Sequence, residues 1–377
     1  EMVTITASHT VIPEEPTPQG RFWLSDIDQV VRLRHTPTLY IYKPKQNQEN
    51  KTIVETLKSS LSKILVHYYP IAGRLCYIEG GRLELNLNAK GAVLIEAETE
   101  KTIHDYGDFS PSDSTKELVP IIDYNQPIED IPIFIVQLTK FKNNEGLAIG
   151  VAFFHPLSDG LGAIKFINSW AKIARGRNDA SEERKKKTSA TMLKLSSEQV
   201  DKLKKKANED DVLVMKKEGS RPFSRYEAIG AHIWRSASKA PTKGYIGEIT
   251  SKPLGYVAQK IRQATELVSD EFIRSQIDVI RSFEHLDDAR KLFLNAEGEI
   301  APYFGNPNFH LTSWMSMPIY EADFGWGKPI NFGLAYVSSH DRALILLSPE
   351  GDGSVHVCLH FQIARLELFN KFFYEDI

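Results

Sequence analysis

A histidine and an aspartate four residues apart, His155 and Asp159, form the pattern in this 377-residue chain that best suits chemistry. They lie in the run His-Pro-Leu-Ser-Asp-Gly, between an apolar strand-like stretch and an apolar stretch with helical spacing. An imidazole with a pKa near ~6.5 accepts a proton at neutral pH and returns it to a leaving group. With 11 histidines in the chain, the spacing alone is weak. The position at the end of a core strand, where pockets form, makes His155 a candidate acid–base residue.

Asp159 has two interpretations. It stands directly before the helical pattern that starts at Leu161, where a carboxylate caps backbone N–H groups and meets the positive end of a helix. The sequence favours this structural role over direct acid–base chemistry. No metal site is predicted, because two ligands do not complete one and no third ligand is nearby.

The second candidate is the run Asp-Phe-Gly-Trp-Gly at 323–327. Two glycines flanking Trp326 predict a tight and specifically shaped loop. The residue types favour an architectural role, an aromatic-packed turn with Asp323 in a local ion pair.

Composition excludes several other functions. With 46 Lys+Arg, 49 Asp+Glu and a formal net charge of −3, the chain lacks the net basic face that nucleic-acid binding requires. Two cysteines without a C-x-x-C pair make no disulfide framework or zinc site. There is no G-x-S-x-G, P-loop or H-E-x-x-H motif. In the absence of an apolar run of ~20 residues or a signal pattern, we expect a cytoplasmic protein without a membrane partner.

Strand and helix patterns position the histidine motif. Apolar runs predict strands at 38–42, 74–78, 82–86, 133–141 and 147–154, and apolar periodicity predicts helices at 52–66, 161–174, 225–239, 256–282 and 366–373. A Ser196/Gln199 capping box opens one more helix, which ends near 208. His155 therefore follows a strand, and Asp159 precedes a helix.

The chain divides at a charged stretch. Residues 176–188 are poor in apolar side chains and end in Arg-Lys-Lys-Lys, which is typical of a linker. The sequence predicts a mixed α/β protein with an N-terminal domain at 1–176, a linker at 177–190 and a C-terminal domain at 191–377.

Four segments together resemble the plant BAHD acyl-CoA-dependent acyltransferases. Residues 155–160 and 323–329 resemble the two motifs of the family in order and placement. Residues 70–75 resemble its P-x-A-G-R-L run, and 224–235 resemble a helix of its second domain. The resemblance spans essentially the whole chain and looks closest to the spermidine hydroxycinnamoyl transferases.

The resemblance implies a chloramphenicol-acetyltransferase-like fold, two α/β domains with a channel between them, and a monomer without a bound cofactor. Acyl-CoA is the co-substrate, and His155 is the general base, with no covalent intermediate. Asp159 supports the histidine loop by pairing with an arginine, and Trp326 can donate a hydrogen bond to the tetrahedral intermediate. Asp323, Gly325 and Gly327 shape their loop. Ser224 and Arg225 are the expected coenzyme A contacts.

The resemblance also implies an acceptor pocket. Its expected lining residues come from two segments: His35, Thr36, Thr38, Tyr40, Thr312, Trp314 and Ser316. Ser316 stands where shikimate and quinate transferases carry an arginine that binds a carboxylate, a bidentate contact that serine cannot make. We therefore expect N-acylation of a polyamine, with spermidine as the first choice. O-acylation of shikimate, quinate or another alcohol, and a non-catalytic binding role, stay open.

Two junctions depart from the family pattern. Between Ala240 and Pro241 the family carries a long segment that supplies a core strand and the arginine expected to pair with Asp159. The linker near 177–181 is also short. Either the encoded protein is longer at these junctions, or this chain is a truncated and inactive form.

Overall fold

The computed structural model describes residues 3–43, 50–176, 193–209, 221–239, 252–294, 310–336, 342–360 and 363–375. The chain forms two compact units. Unit 1 comprises Glu1–Thr191, Val279–Asn295 and Met317–Tyr336, and unit 2 comprises Met192–Asp278, Ala296–Ser316 and Val337–Ile377. The loop at 323–327 therefore packs in unit 1, although the domain boundaries drawn from the sequence place it with the C-terminal half.

The described residues form the following strands and helices. The strands are β1 (Thr4–Val11), β2 (Gly20–Trp23), β3 (His35–Tyr42), β4 (Arg74–Ile78), β5 (Arg82–Leu87), β6 (Ala92–Glu98), β7 (Phe134–Lys140), β8 (Leu147–Phe154), β9 (Leu193–Leu195), β10 (His310–Ser313), β11 (Asn331–Leu334), β12 (Arg342–Leu347) and β13 (Val355–His360). The helices are α1 (Asn50–His67), α2 (Asp113–Lys116), α3 (Gly160–Ala174), α4 (Ser197–Glu209), α5 (Arg225–Lys239), α6 (Leu254–Glu266), α7 (Asp270–Arg281), α8 (Leu286–Leu294) and α9 (Ile363–Glu375). No helix among these residues is long and apolar enough to cross a bilayer.

Unit 1 is built on a six-stranded sheet in the order β1-β6-β7-β8-β3-β11. Only the β6–β7 pair is parallel. All eight residues of β8 are buried, as expected for a central strand covered on both faces, which reads as a continuous apolar run. Trp170 of α3 is fully buried and packs edge-on against Phe134 of β7. The α3 helix therefore packs on the sheet that carries β8.

Most predicted elements are confirmed, with one correction. The helix predicted at 161–174 is α3, the helix at 225–239 is α5, and the capping box at Ser196 and Gln199 has both reciprocal hydrogen bonds. The single helix predicted at 256–282 is wrong, because the chain forms α6 and α7 there. The Ser269 hydroxyl accepts the Phe272 N–H at 3.1 Å and starts the second helix. The predicted linker at 177–190 lies outside the described residues.

Unit 2 contains a four-stranded sheet in the order β10-β12-β13-β9, with helices α4, α5, α6 and α9 in the same unit. In this unit, Glu227 of α5 is a buried carboxylate, 2% exposed. It accepts hydrogen bonds from Arg262 at 2.8 Å and from Arg221 at 3.0 Å. Burial opposes ionisation, but the hydrogen bonds from Arg262, Arg221 and Ser224 outweigh it and lower the pKa of Glu227 to about 2. This ion-paired carboxylate anchors α5 to α6.

Candidate active site

His155 lies where the central strand of unit 1 leaves the sheet. It follows β8 and begins a short 3₁₀ turn, His155–Leu157, in which Pro156 is buried while the His155 side chain is exposed. Its backbone N–H donates to the Arg34 carbonyl at 3.2 Å, and the N–H of Phe154 donates to the Ile133 carbonyl at 2.9 Å. The backbone is therefore fixed from both sides, and the imidazole is open to solvent.

Asp159 caps the helix that follows, as the sequence predicts. Its Oδ1 accepts the Gly162 N–H at 2.7 Å, and its backbone is extended (φ −71°, ψ 176°). A Cβ at Gly162 would lie 2.3 Å from the Ser158 hydroxyl, so a side chain there would displace that hydroxyl. Among the described residues Asp159 has no arginine partner, so its observed role is that of an N-cap.

His35 is a buried side chain of β3. It is 6% exposed, its Nδ1 lies 3.0 Å from the Tyr124 hydroxyl, and its Nε2 lies 2.8 Å from the Pro132 carbonyl. Burial lowers its pKa to about 4, so the ring is neutral near pH 7. Both ring nitrogens are hydrogen-bonded inside the protein, and the expected contact with the acceptor stays a prediction.

The other three predicted residues of β3, Thr36, Thr38 and Tyr40, differ in how deeply their side chains are buried. All three lie on the same face of the strand, because successive strand residues point to opposite faces. Tyr40 is 1% exposed and packs on Phe332 with ring centroids 4.7 Å apart. Thr36 and Thr38 are partly exposed, and Thr36 pairs with Phe153, two residues before His155. Of the four residues predicted here, these two threonines have the most exposed side chains, and the acceptor roles of all four stay predictions.

The loop at 323–327 is architectural, as its residue types indicate. The Asp323 Oδ1 accepts the N–H groups of Gly325 at 2.8 Å and Gly327 at 3.0 Å, while its Oδ2 accepts from the Arg175 Nη1 at 2.9 Å. Both glycines have positive φ, 103° and 94°, which favours glycine there. Phe324 packs edge-on against Trp170 at 4.8 Å. The loop is thereby attached to the C-terminal end of α3.

Trp326 packs at the end of β3 opposite His35, and its expected role as a hydrogen-bond donor to the intermediate stays a prediction. Its ring stacks on Phe324 and meets the edge of Tyr42 at 5.5 Å. Tyr42 pairs with Leu147 at one end of β3, whereas His35 pairs with Phe154 at the other end. These ends are seven residues, or about 23 Å, apart. The 15-residue helix α3 separates the two motifs by a similar length, about 22 Å.

The remaining predicted residues belong to unit 2. Thr312 lies on β10, Trp314 donates its backbone N–H to the Ile345 carbonyl at 2.9 Å, and the Ser316 side chain is exposed. The Ser224 hydroxyl accepts the N–H of Glu227 at 3.2 Å and thus starts α5. Arg225 donates to the Gly353 carbonyl. The contacts of these five residues are structural, and their predicted substrate roles stay predictions.

Sequence reasoning missed two residues that hold the site. Tyr124 lies in a loop and bonds a histidine 89 positions away, so no local pattern indicates it. Arg175 follows the apolar pattern of α3 directly, and a cation at the end of a helix is a recognisable signal. No group of three or more His, Cys, Asp or Glu side chains within the described residues could hold a metal ion.

Comparison with known proteins identifies the family. A model of the Transferase family matches residues 1–185, 177–245 and 238–376. The chain therefore belongs to this family, that of the BAHD acyltransferases, and is an acyltransferase with acyl-CoA as its co-substrate. The fold agrees, because vinorine synthase superposes with a TM-score of 0.69 at 20% identity, covering 97% of this chain and 96% of that chain.

Three relatives are similar along their whole length. Hydroxycinnamoyl-CoA:piscidic acid hydroxycinnamoyltransferase of Actaea racemosa is 38% identical, covering 100% of both chains. Shikimate O-hydroxycinnamoyltransferase of Nicotiana tabacum is 31% identical, covering 99% of both. Hydroxycinnamoyl-CoA:5-hydroxyanthranilate N-hydroxycinnamoyltransferase of Avena sativa is 30% identical, also covering 99% of both. These relatives support hydroxycinnamoyl transfer, and their names give both O- and N-acylation.

The comparisons also bear on the two short junctions. The family match is broken near 177–185 and 238–245, where the family pattern predicts additional residues. The 377 residues of this chain align with the Actaea protein over 453 positions. About 76 of these positions therefore have no residue in this chain, in agreement with internal segments that this sequence lacks.

Proposed function

We propose that this chain transfers a hydroxycinnamoyl group from its CoA thioester to an acceptor, with His155 as the general base. The observation that carries this proposal is the exposed His155 imidazole on a backbone held at both sides, between a buried strand and a capped helix. A base in a fixed position turns a bimolecular proton transfer into a local one.

The reaction needs one base. His155 takes the proton of the acceptor O–H or N–H while the oxygen or nitrogen attacks the thioester carbonyl carbon. The tetrahedral intermediate then collapses, the C–S bond breaks, and the protonated imidazole returns its proton to the departing thiolate. An amine acceptor must first lose a proton from an ammonium with a pKa near ~10.

Two acceptor classes follow from different observations. Ser316 favours a polyamine, spermidine first, because its exposed hydroxyl stands where shikimate and quinate transferases carry a carboxylate-binding arginine. Arg34 favours a carboxylic acid acceptor. Its side chain is exposed and its carbonyl accepts the His155 N–H. Two relatives are named for the acids piscidic acid and shikimate.

The acceptor is identified by competition. The purified protein is incubated with coumaroyl-CoA or caffeoyl-CoA and one of spermidine, putrescine, agmatine, shikimate, quinate, piscidic acid or anthranilate, and thiol release and product mass are followed. Turnover of spermidine supports the polyamine proposal, and turnover of acids alone refutes it. Arg34→Gln separates the two classes further, because loss of the guanidinium lowers turnover of carboxylate acceptors more than that of spermidine.

The general-base role is tested with a matched pair of histidine variants. His155→Ala abolishes turnover without changing the unfolding midpoint. His104→Ala, at another exposed histidine of unit 1, keeps wild-type turnover. Activity retained in His155→Ala refutes the general-base role. Ligand binding by the full-length protein without turnover of any acyl-CoA points to the non-catalytic alternative.

Three broader proposals rest on the sequence. We propose a linker at 177–190 between the two halves of the chain, a monomer in solution and a cytoplasmic location. Limited proteolysis, light scattering after size exclusion and a fluorescent fusion test them in turn. Cleavage away from 177–190, a mass of two chains and an organellar signal are the respective contrary results.

A further inference from the structure

The ring of His35 joins the two backbone segments that hold the catalytic histidine. Residues 132 and 133 supply two acceptors: the Pro132 carbonyl is 2.8 Å from the His35 Nε2, and the Ile133 carbonyl binds the Phe154 N–H. On the other side, the carbonyl of Arg34 binds the N–H of His155. His35 follows Arg34 directly in the chain. Its side chain therefore links the two segments, one at Arg34 and one at 132–133, whose carbonyls bind the N–H groups of residues 154 and 155.

The same ring packs on the end of β8. The imidazole of His35 stacks on Phe154, the residue before His155, with centroids 4.6 Å apart and planes 17° apart. A stacked and buried ring transmits a shift to its neighbour, because close-packed side chains have no void to move into. A tilt of the His35 ring would therefore displace the strand end that carries His155.

A single hydroxyl sets the orientation of this ring. The Tyr124 oxygen accepts the backbone N–H of His35 at 2.9 Å and lies 3.0 Å from its Nδ1. Since the Pro132 carbonyl can only accept, the hydrogen-bond network assigns the ring proton to Nε2, and the tyrosine O–H donates to Nδ1. One phenol thus fixes both the backbone and the tautomer of His35.

We propose that Tyr124 is a positioning residue for His155 and acts through the His35 ring. This inference rests on the proposed function, because it assigns a supporting residue to the same general base. Tyr124 need not touch the substrates. Its hydroxyl keeps His35 in the one orientation in which residues 154 and 155 are bound from both sides.

Tyr124→Phe tests this inference because it removes only the hydroxyl and keeps the ring, over which the Arg34 guanidinium lies at 4.1 Å. Tyr124→Phe removes both hydrogen bonds of the hydroxyl, to the backbone N–H and to the Nδ1 of His35, and we expect about a tenfold fall in kcat, with the KM of both substrates within twofold of wild type. Tyr106→Phe is the matched control. Its hydroxyl, 3.2 Å from the Thr99 hydroxyl, is a buried pair in unit 1 that does not contact residues 154 or 155.

A second variant and a second measurement keep the test decisive. His35→Gln, whose amide can still donate to the Pro132 carbonyl, retains more kcat than His35→Leu, which cannot donate. Hydrogen exchange of residues 153–158 rises in Tyr124→Phe and stays at the wild-type level in Tyr106→Phe.

Three outcomes overturn the inference. The first is a kcat for Tyr124→Phe equal to that of Tyr106→Phe. The second is equal hydrogen exchange of residues 153–158 in the two variants. The third is wild-type protein without turnover of any acyl-CoA, which also refutes the proposed function and is thereby distinguished from the first two.

Discussion

Asp159 offers the sharpest test of how the motif works. A helix cap and an ion pair with an arginine predict different stabilities and kcat values for the Asn and Ala variants. The Oδ1 of Asp159 accepts the Gly162 N–H at 2.7 Å at the start of α3. Asparagine can make the same hydrogen bond, whereas alanine cannot. The side chain is exposed, so water can replace the lost partner, and Asp159→Ala should cost about 1 kcal/mol of unfolding free energy.

The charge adds a smaller contribution. A carboxylate at a helix N-terminus contributes about 0.3–1 kcal/mol, and this is all that Asp159→Asn should lose. Urea unfolding of the three proteins, with hydrogen exchange of the segment that contains Gly162, measures both contributions. The expected order is wild type, then Asp159→Asn, then Asp159→Ala, with kcat in the same order because the capped turn follows His155.

A different order would refute the capping account. If Asp159→Asn is as unstable and as slow as Asp159→Ala, the negative charge acts through a cationic partner and not through the cap. Unchanged exchange at Gly162 in Asp159→Ala would refute the hydrogen bond itself.

Three further outcomes test the packing of the two units. The pKa of His35 is about 4 in the fold against 6.5 for the free side chain, so the unfolded state takes up the proton first. As pH falls from 6.5 to 4, unfolding free energy should drop by about 3 kcal/mol, a drop absent from His35→Gln in urea titrations at each pH. Glu227→Ala leaves the buried Arg262 guanidinium without its carboxylate and should cost about 3–5 kcal/mol, read from the urea midpoint of unit 2. Gly150→Ala places a Cβ 2.0 Å from a backbone carbonyl and should cost about 1–3 kcal/mol. Gly333→Ala, with no atom within 4 Å of its Cβ, is the control, and equal melting temperatures would refute the clash.

Patterns of neighbouring residues in the sequence predict the helices and caps that form through contacts within one or two turns. The α3 helix and its Asp159 cap follow from residues within one or two turns of each other, and so does the capping box at Ser196. The break between α6 and α7 was missed because Leu267 and Val268 continue the apolar pattern, although Ser269 carries a cap signal.

Local patterns at the site do not reveal contacts between residues distant in the chain. The partners of His35, Tyr124 and Pro132, are 89 and 97 positions away, so no local pattern indicates that its ring is buried. Trp326 contacts Tyr42, 284 positions earlier, and no spacing within the motif could show that.

The α3 helix also limits how the chain can change in length. The cap at Asp159 fixes one end, and Arg175 on Asp323 fixes the other, while Trp170 between them donates to the Ser60 hydroxyl at 2.9 Å. One inserted residue would rotate the rest of the helix by about 100° and advance it by about 1.5 Å. The Asp159 cap and the Arg175–Asp323 ion pair could then not both form. We therefore expect insertions and deletions to be confined to loops such as the turn at 142–146 and to be excluded from 159–175.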